Sequence, residues 1–161
     1  MNIAPDGSLD YDEATLARLG WVVASVHSSF RISEDRMTKR IMAAMDNPLV
    51  DVIGHPTGRL LMRRDPYPVN MERLVAHAAE TGTMLEINSN PDRRDLSDIH
   101  ARLAAEAGVP ITINSDAHSA GTLAVIRYGV ATARRAWLTP HQVANTRPWR
   151  ELEKLRPRNR S

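Results

Sequence analysis

Trp21-Val22-Val23-Ala24-Ser25-Val26-His27 is an apolar run of strand length that ends on an imidazole, and the pattern it opens recurs along the chain. Beyond it, Ser33 is suited to cap a helix in which Met37, Ile41, Met42 and Met45 recur at helical spacing. Strand followed by helix makes one unit. Residues 49–53 repeat the strand signal, and residues 54–68 form a Pro- and Arg-rich loop. Asn70 then caps a helix whose Leu74, Val75, Ala78 and Ala79 face one way until Gly82 stops it. Residues 84–87 are the third strand. The helix after Asp95 carries Leu96, Ile99, Leu103 and Ala107 at a three-and-four rhythm, Gly108 ends it, and residues 109–113 are the fourth strand.

Strands that alternate with helices imply parallel pairing, because a parallel return needs a crossover and the crossover is usually a helix. The predicted fold class is therefore α/β, a partial TIM-like (β/α) barrel of about four parallel βα units with its sheet buried on both faces. Carboxy-terminal helices follow: one over 121–137, a short one entered through Thr139 and Pro140, and one over 149–155 after Pro148. Four units of a larger barrel leave two unpaired sheet edges and an apolar inner face. These call for a cover: self-association into a dimer, an amino-terminal companion segment, or rearrangement of the carboxy-terminal helices.

Composition sets the outer bounds. At 161 residues the chain is one domain by length, with 25% charged and 42% hydrophobic residues, an ordinary globular balance. It has no cysteine, which excludes disulfides and thiolate metal sites and leaves His and Asp as ligand types. The formal charge is only +2, but Arg156, Arg158 and Arg160 concentrate positive charge at 156–161, a segment expected to be a disordered basic tail. No apolar stretch reaches the ~20 residues a bilayer span needs, and no basic-then-apolar leader opens the chain, so a cytoplasmic location with no membrane partner is expected.

A polar group just past a buried strand is where a (β/α) barrel keeps its chemistry. His27 follows the first strand, His55 in Gly54-His55-Pro56-Thr57-Gly58-Arg59 the second, and Asp116 and His118 in Ser115-Asp116-Ala117-His118 the fourth. Each has a plainer alternative: Asp116 as a helix cap with His118 incidental, His27 as a hydrogen-bonded strand end, His55 as part of a structural turn. Their joint placement argues for one site, since the third strand also runs into polar Glu86-Ile87-Asn88-Ser89-Asn90 at the same end. His77, His100 and His141 fall in predicted helices, where a solvated face is the expected role. Arg59, Arg63, Arg64, Arg93 and Arg94 follow strands two and three and would rim the same mouth, able to hold phosphate oxygens.

Asp6-Gly7-Ser8-Leu9-Asp10, Ala24-Ser25-Val26-His27-Ser28, Gly54-His55-Pro56-Thr57-Gly58-Arg59, Glu86-Ile87-Asn88, Asn114-Ser115-Asp116-Ala117-His118, Arg127-Tyr128-Gly129 through Ala133-Arg134-Arg135, and Trp137-Leu138-Thr139 resemble, in order, the polymerase and histidinol phosphatase (PHP) domain. The likeness is strongest to the PHP domain attached to bacterial family X DNA polymerases, and it spans residues 1–155 as the carboxy-terminal portion of such a domain. It implies a distorted (β/α)7 barrel with a three-metal centre, zinc or manganese, that hydrolyses phosphoesters. In the family X branch the reaction is 3′-to-5′ exonuclease or 3′-end processing of DNA, a role in DNA repair. By resemblance His27 and His55 hold one metal, Asp116 a second and His118 a third. Asn88, Asn90, Arg59 and Arg93, placed at the same rim, are the expected substrate contacts.

A full PHP domain opens with His-x-His, continues with an Asp and a His, and supplies a bridging Glu, none of which precedes His27 here. A site of two histidines is poor for a catalytic metal, so the chain is expected to be inactive or impaired alone. The partner is expected to be a DNA end or, in the histidinol phosphatase manner, a phosphorylated small molecule, and the missing amino-terminal PHP segment is expected to complete the site. A non-catalytic DNA-binding module using the basic rim and tail is the other alternative.

Overall fold

The computed structural model describes residues 1–159; Arg160 and Ser161, the end of the expected tail, lie outside the described residues. Four strands, β1 (Val23–Ala24), β2 (Val52–Ile53), β3 (Met84–Asn88) and β4 (Ile111–Asn114), form one parallel sheet in the order β1-β2-β3-β4. Helix α1 (Glu13–Arg18) precedes β1, α2 (Glu34–Met45), α3 (Met71–Thr81) and α4 (Asp98–Glu106) make the three crossovers, and α5 (Ile126–Arg135) and α6 (Trp149–Leu152) follow β4. Each strand lies beside its predecessor, so with right-handed crossovers the connecting helices fall on one face, as in a barrel wall. The predicted α/β class and its four parallel units are what the chain forms.

Local signals place the ends of these helices. Ser33, Asn70 and Ser97 each accept a hydrogen bond from a backbone N–H of the first turn, and Gly82 takes the left-handed conformation that ends α3. Helix α1, with only Leu16 buried, is too short to have shown as a periodic pattern. The face of α4 differs from expectation. Its buried residues are Ala101 and Ala104, while Ile99 is 75% exposed. The reason is phase: Leu96 is buried from the loop ahead of the Ser97 cap, so a rhythm counted from Leu96 does not apply to the helix.

Past β4 the helices are shorter than predicted. Residues 120–125 are a 3-10 turn before α5, Thr139 opens a turn closed on Gln142 in place of a helix, and α6 gives way to 3-10 geometry at Glu153–Leu155.

Strand alternation separates the two faces. Ala24, Ile53, Leu85, Ile87, Ile111 and Ile113 join Met37, Ile41, Leu74 and Ala104 in the main core under the helices. Val52 and Met84 point the other way and are covered by Ala144, with Trp21, Val23, Leu152 and Leu155 packed around them. Further along the same face the side chains turn polar: Glu86, Asn88 and Asn114 bond one another there. The inner face is therefore apolar only at its amino end, which corrects the expectation of an apolar surface throughout.

Both edges are partly covered. Asn2 bridges Ser25 in parallel and Ile3 N–H donates to the Ser25 carbonyl at 2.9 Å, so residues 1–3 line the β1 edge. At the other edge Val143 bridges Ile111, while the Asn145 amide donates to the Ile113 carbonyl at 2.8 Å and accepts from its N–H at 3.1 Å. Of the covers anticipated, carboxy-terminal rearrangement is the one seen at β4.

The basic segment also departs from expectation as far as it is described. Arg156 is 5% exposed and donates from Nε to Asp51 Oδ1 at 2.9 Å, and Arg158 donates from Nη2 to the Leu49 carbonyl at 2.9 Å. Asp51, wholly buried at the head of β2, supplies the counter-charge that docks residues 156–159 under the sheet. No helix among the described residues is long and apolar enough to cross a membrane.

Candidate functional site

Each strand hands its polar residue to the carboxyl rim. His27 follows β1, and its N–H donates to the Asn2 side chain at 3.2 Å. Arg40 of α2, only 2% exposed, fixes the next residue: Nη1 donates to the Ser28 carbonyl and Nε to the Ala4 carbonyl, both at 2.9 Å, and Nη2 to the Ile3 carbonyl. A buried guanidinium satisfied by three carbonyls thus clamps the segment that carries His27. Sequence periodicity gives no hint of it, since Arg40 sits among the Met and Ile positions of a helix.

His55 leaves β2 through Gly54, where an added Cβ would meet Ser25 Oγ at 2.4 Å and Val23 at 3.0 Å. Its N–H donates to Glu86 Oε2 at 2.7 Å. Glu86, in turn, accepts from Asn114 at 2.8 Å and Asn88 at 3.2 Å, tying strands β2, β3 and β4 together at the rim. Burial raises the Glu86 carboxyl above its usual range, and these three donors pull the other way. The signal that could have singled out Glu86 was a carboxylate inside a continuous apolar strand.

The two imidazoles meet. Their ring centres are 5.2 Å apart with planes at 72°. Burial lowers the pKa of His55 to about 4, with the Arg93 charge and then His27 as further causes, and burial also holds His27 below its usual value. Both rings are thus neutral near pH 7, the form that can coordinate a cation. His55 Nδ1 is buried without a protein partner.

Asp116 and Arg93 complete the neighbourhood. Arg93 Nε lies 3.7 Å from Asp116 Oδ2, and both charges act on both histidines. Arg93 Nη1 is also buried without a protein partner. His55 and Asp116 take positive φ, +32° and +53°, a region non-glycine residues rarely adopt and which recurs at functional sites. His118 is exposed; its Nδ1–H donates to the Asp116 carbonyl at 2.8 Å, which leaves Nε2 its lone pair.

The other substrate candidates are engaged within the chain. Arg59 donates from Nε to the Arg93 carbonyl at 2.9 Å and from Nη2 to the Arg94 carbonyl, so it braces the loop that presents Arg93. Asn88, 1% exposed, donates to Glu86 and accepts from Asn90 N–H, and Asn90 accepts from Asp92 N–H at 3.0 Å. Beneath them Asp95, wholly buried, accepts from Thr57 N–H at 3.0 Å; burial pushes its pKa up to about 6. His77 of α3 pairs with Asp46 at the end of α2 and His141 lies exposed in a turn, both away from the rim, while His100 of α4 is part-buried rather than solvated.

The donor set fits a divalent cation in part. His27 and His55 are neutral, adjacent and presented from two strands, while no group of three or more His, Cys, Asp or Glu is gathered to hold a metal among the described residues. The fit is to one imidazole pair that further ligands would complete.

A singly wound parallel α/β sheet with imidazoles, a carboxylate and arginines at its carboxyl rim is the architecture of a partial TIM-like unit. No protein-family model matches the chain. Individual relatives do. Over 159 residues it is 43% identical to the DNA polymerase/3′-5′ exonuclease PolX of Bacillus subtilis, covering 99% of this chain and 28% of that protein. It is 33% identical over 164 residues to a "Probable phosphatase" of a Thermoanaerobacter species, covering 96% of this chain and 64% of the relative. A "Probable phosphatase" of Caldanaerobacter subterraneus is 38% identical over 122 residues. The chain spans less than two thirds of the length of each of these relatives. These likenesses agree with the PHP-domain resemblance read in the sequence, on the side of the family X DNA polymerases.

Proposed function

We propose that this chain is the portion of a PHP phosphoesterase that carries the His27–His55 half of the metal site, and that its substrate is the 3′ end of DNA. The observation that carries the reading is the facing pair of neutral imidazoles with an unpartnered His55 Nδ1, in a chain 43% identical to a polymerase/3′-5′ exonuclease. The names of the other relatives favour a second reading, a small-molecule phosphatase.

His27 and His55 would hold one divalent cation, zinc or manganese, with Asp116 and His118 serving its neighbours. Such a cation supplies a hydroxide near neutral pH and offsets charge on the leaving oxygen. The chain's own groups do the rest. Glu86 fixes the His55 backbone and so positions its ring beside His27. Arg93, held against Asp116 and backed by Arg59, offers its free Nη1 to a phosphate oxygen. Asn88 and Asn114 keep Glu86 satisfied and the strand ends in register.

Metal analysis and hydrolysis assays test the reading, on the chain as it stands and on a version extended at the amino terminus with the family's His-x-His segment. The expected result is little metal and weak hydrolysis in the first, and about three metals with DNA 3′-end hydrolysis in the second. Full activity of the extended form after His27→Ala or Asp116→Ala would count against the assignment. Preference for phosphorylated small molecules over DNA ends would favour the second reading.

A further inference from the structure

Beside the imidazole pair lies an open groove of about 800 Å³, lined by Ser29, Phe30, Arg31, Arg64, Pro66 and Tyr67 among others. Its wall is built of flat groups. The Phe30 and Tyr67 rings stack within 10° of parallel with centres 6.0 Å apart, and the Arg64 guanidinium carbon lies 4.2 Å from the Phe30 ring centre. Arg64 is pinned there, since its Nε and Nη2 both donate to the Gly58 carbonyl, at 3.1 and 2.6 Å. Tyr67 is equally fixed: it is 5% exposed, and its hydroxyl donates to the Pro56 carbonyl at 2.8 Å. Gly58 passes so close beneath, at φ +61°, that a Cβ would meet the Tyr67 ring at 2.2 Å. The loop that carries His55 thus packs directly against the ring stack.

Charge and shape together select the occupant. The groove lining holds two guanidinium groups, Arg31 and Arg64, against one carboxylate, Asp65, and the rest is largely apolar and flat. A small phosphorylated metabolite has no use for an open apolar wall, and an apolar peptide has none for the cations. An unpaired polynucleotide uses both, stacking bases on aromatic and guanidinium planes and laying phosphates against positive charge. The groove also lies close to the rim along the chain. Ser29 stands two residues past His27, a reach of at most ~7 Å of extended chain, and Pro56 directly follows His55.

We propose that this groove is a binding subsite for an unpaired nucleotide strand, with a base stacked on Phe30 and Arg64 and a phosphate against Arg31. The proposal rests on the phosphoesterase reading for its purpose, and names an unpaired end as the form of substrate. It also separates the two readings above, because a small-molecule phosphatase would gain nothing from it.

Fluorescence anisotropy with a labelled oligothymidylate, beside titration with inorganic phosphate, tests the subsite without requiring turnover. Phe30→Leu keeps apolar bulk under Arg64 and removes the ring face; strand affinity should fall about fivefold or more while phosphate binding is unchanged. Arg31→Gln should weaken the strand and flatten its salt dependence. Circular dichroism confirms folding of each variant. Should Phe30→Leu fail to fold, photocrosslinking of the parent chain to a 4-thiothymidine oligonucleotide reads the same contact, with adducts expected on Phe30. Equal strand affinity in parent and folded Phe30→Leu, or adducts confined to residues outside the groove, would overturn the subsite. Strand binding that depends on Phe30 without hydrolysis in the extended form would count against the phosphoesterase and spare the subsite; hydrolysis with strand binding indifferent to Phe30 would do the reverse.

Discussion

At the amino end of the sheet, Asp51 is wholly buried and its oxygens are taken by Arg156, Arg158 and the Val22 N–H. At the carboxyl end, His55 Nδ1 and Arg93 Nη1 are buried with no protein partner, and His55 and Asp116 sit at positive φ. A charge cluster closed upon itself holds elements together; one left open, on strained backbone, is built to meet something else. On the proposed function, the floor serves stability and the rim serves chemistry.

The sharpest way to break that contrast is to substitute at both ends and compare melting with binding. Asp51→Ala strands Arg156 in the interior, so we expect a loss of about 3–5 kcal/mol in chemical denaturation. A loss under 1 kcal/mol would mean that the floor pair does not hold residues 156–159. Asp95→Asn comes next, read as stability against pH. The folded-state pKa of Asp95, about 6, lies above the 3.8 of an ordinary aspartate, so its favourable contribution is complete below about pH 4 and lost as pH rises through 6. The variant should therefore gain on the parent above pH 6 relative to below pH 4; parallel curves would contradict the buried acid. Asp116→Gly removes a positive-φ penalty and should stabilise by about 0.5–1 kcal/mol while weakening any cation or phosphate binding, the opposite sign to Asp51→Ala. Lys39→Ala, which breaks an exposed i,i+4 pair with Asp35, should change stability by under about 0.5 kcal/mol and set the scale for a contact with neither role.

The alternation of apolar runs with capped helices made the four parallel units legible, because strand burial and helix caps are local properties of a few residues. The rim was legible for the same reason: His27, His55 and Asp116 each follow a strand directly. What escaped was long-range. Asp51 and Arg156 are 105 residues apart, and nothing in either neighbourhood announces the other. Arg40 reads as a surface position in an amphipathic helix, yet it closes on carbonyls from Ile3, Ala4 and Ser28. Glu86 was seen only as part of a polar stretch, because its role depends on Asn114 and the His55 N–H arriving from neighbouring strands.

The central claim is that His27 and His55 together form one half of a cation site. Cobalt(II) titration followed by visible absorption tests it most directly, on the parent chain and on His27→Ala, His55→Ala and His77→Ala. The account predicts a weak site in the parent that both rim variants lose by at least about tenfold and that His77→Ala retains. Unchanged cobalt binding after His55→Ala, or loss after His77→Ala alone, would contradict it.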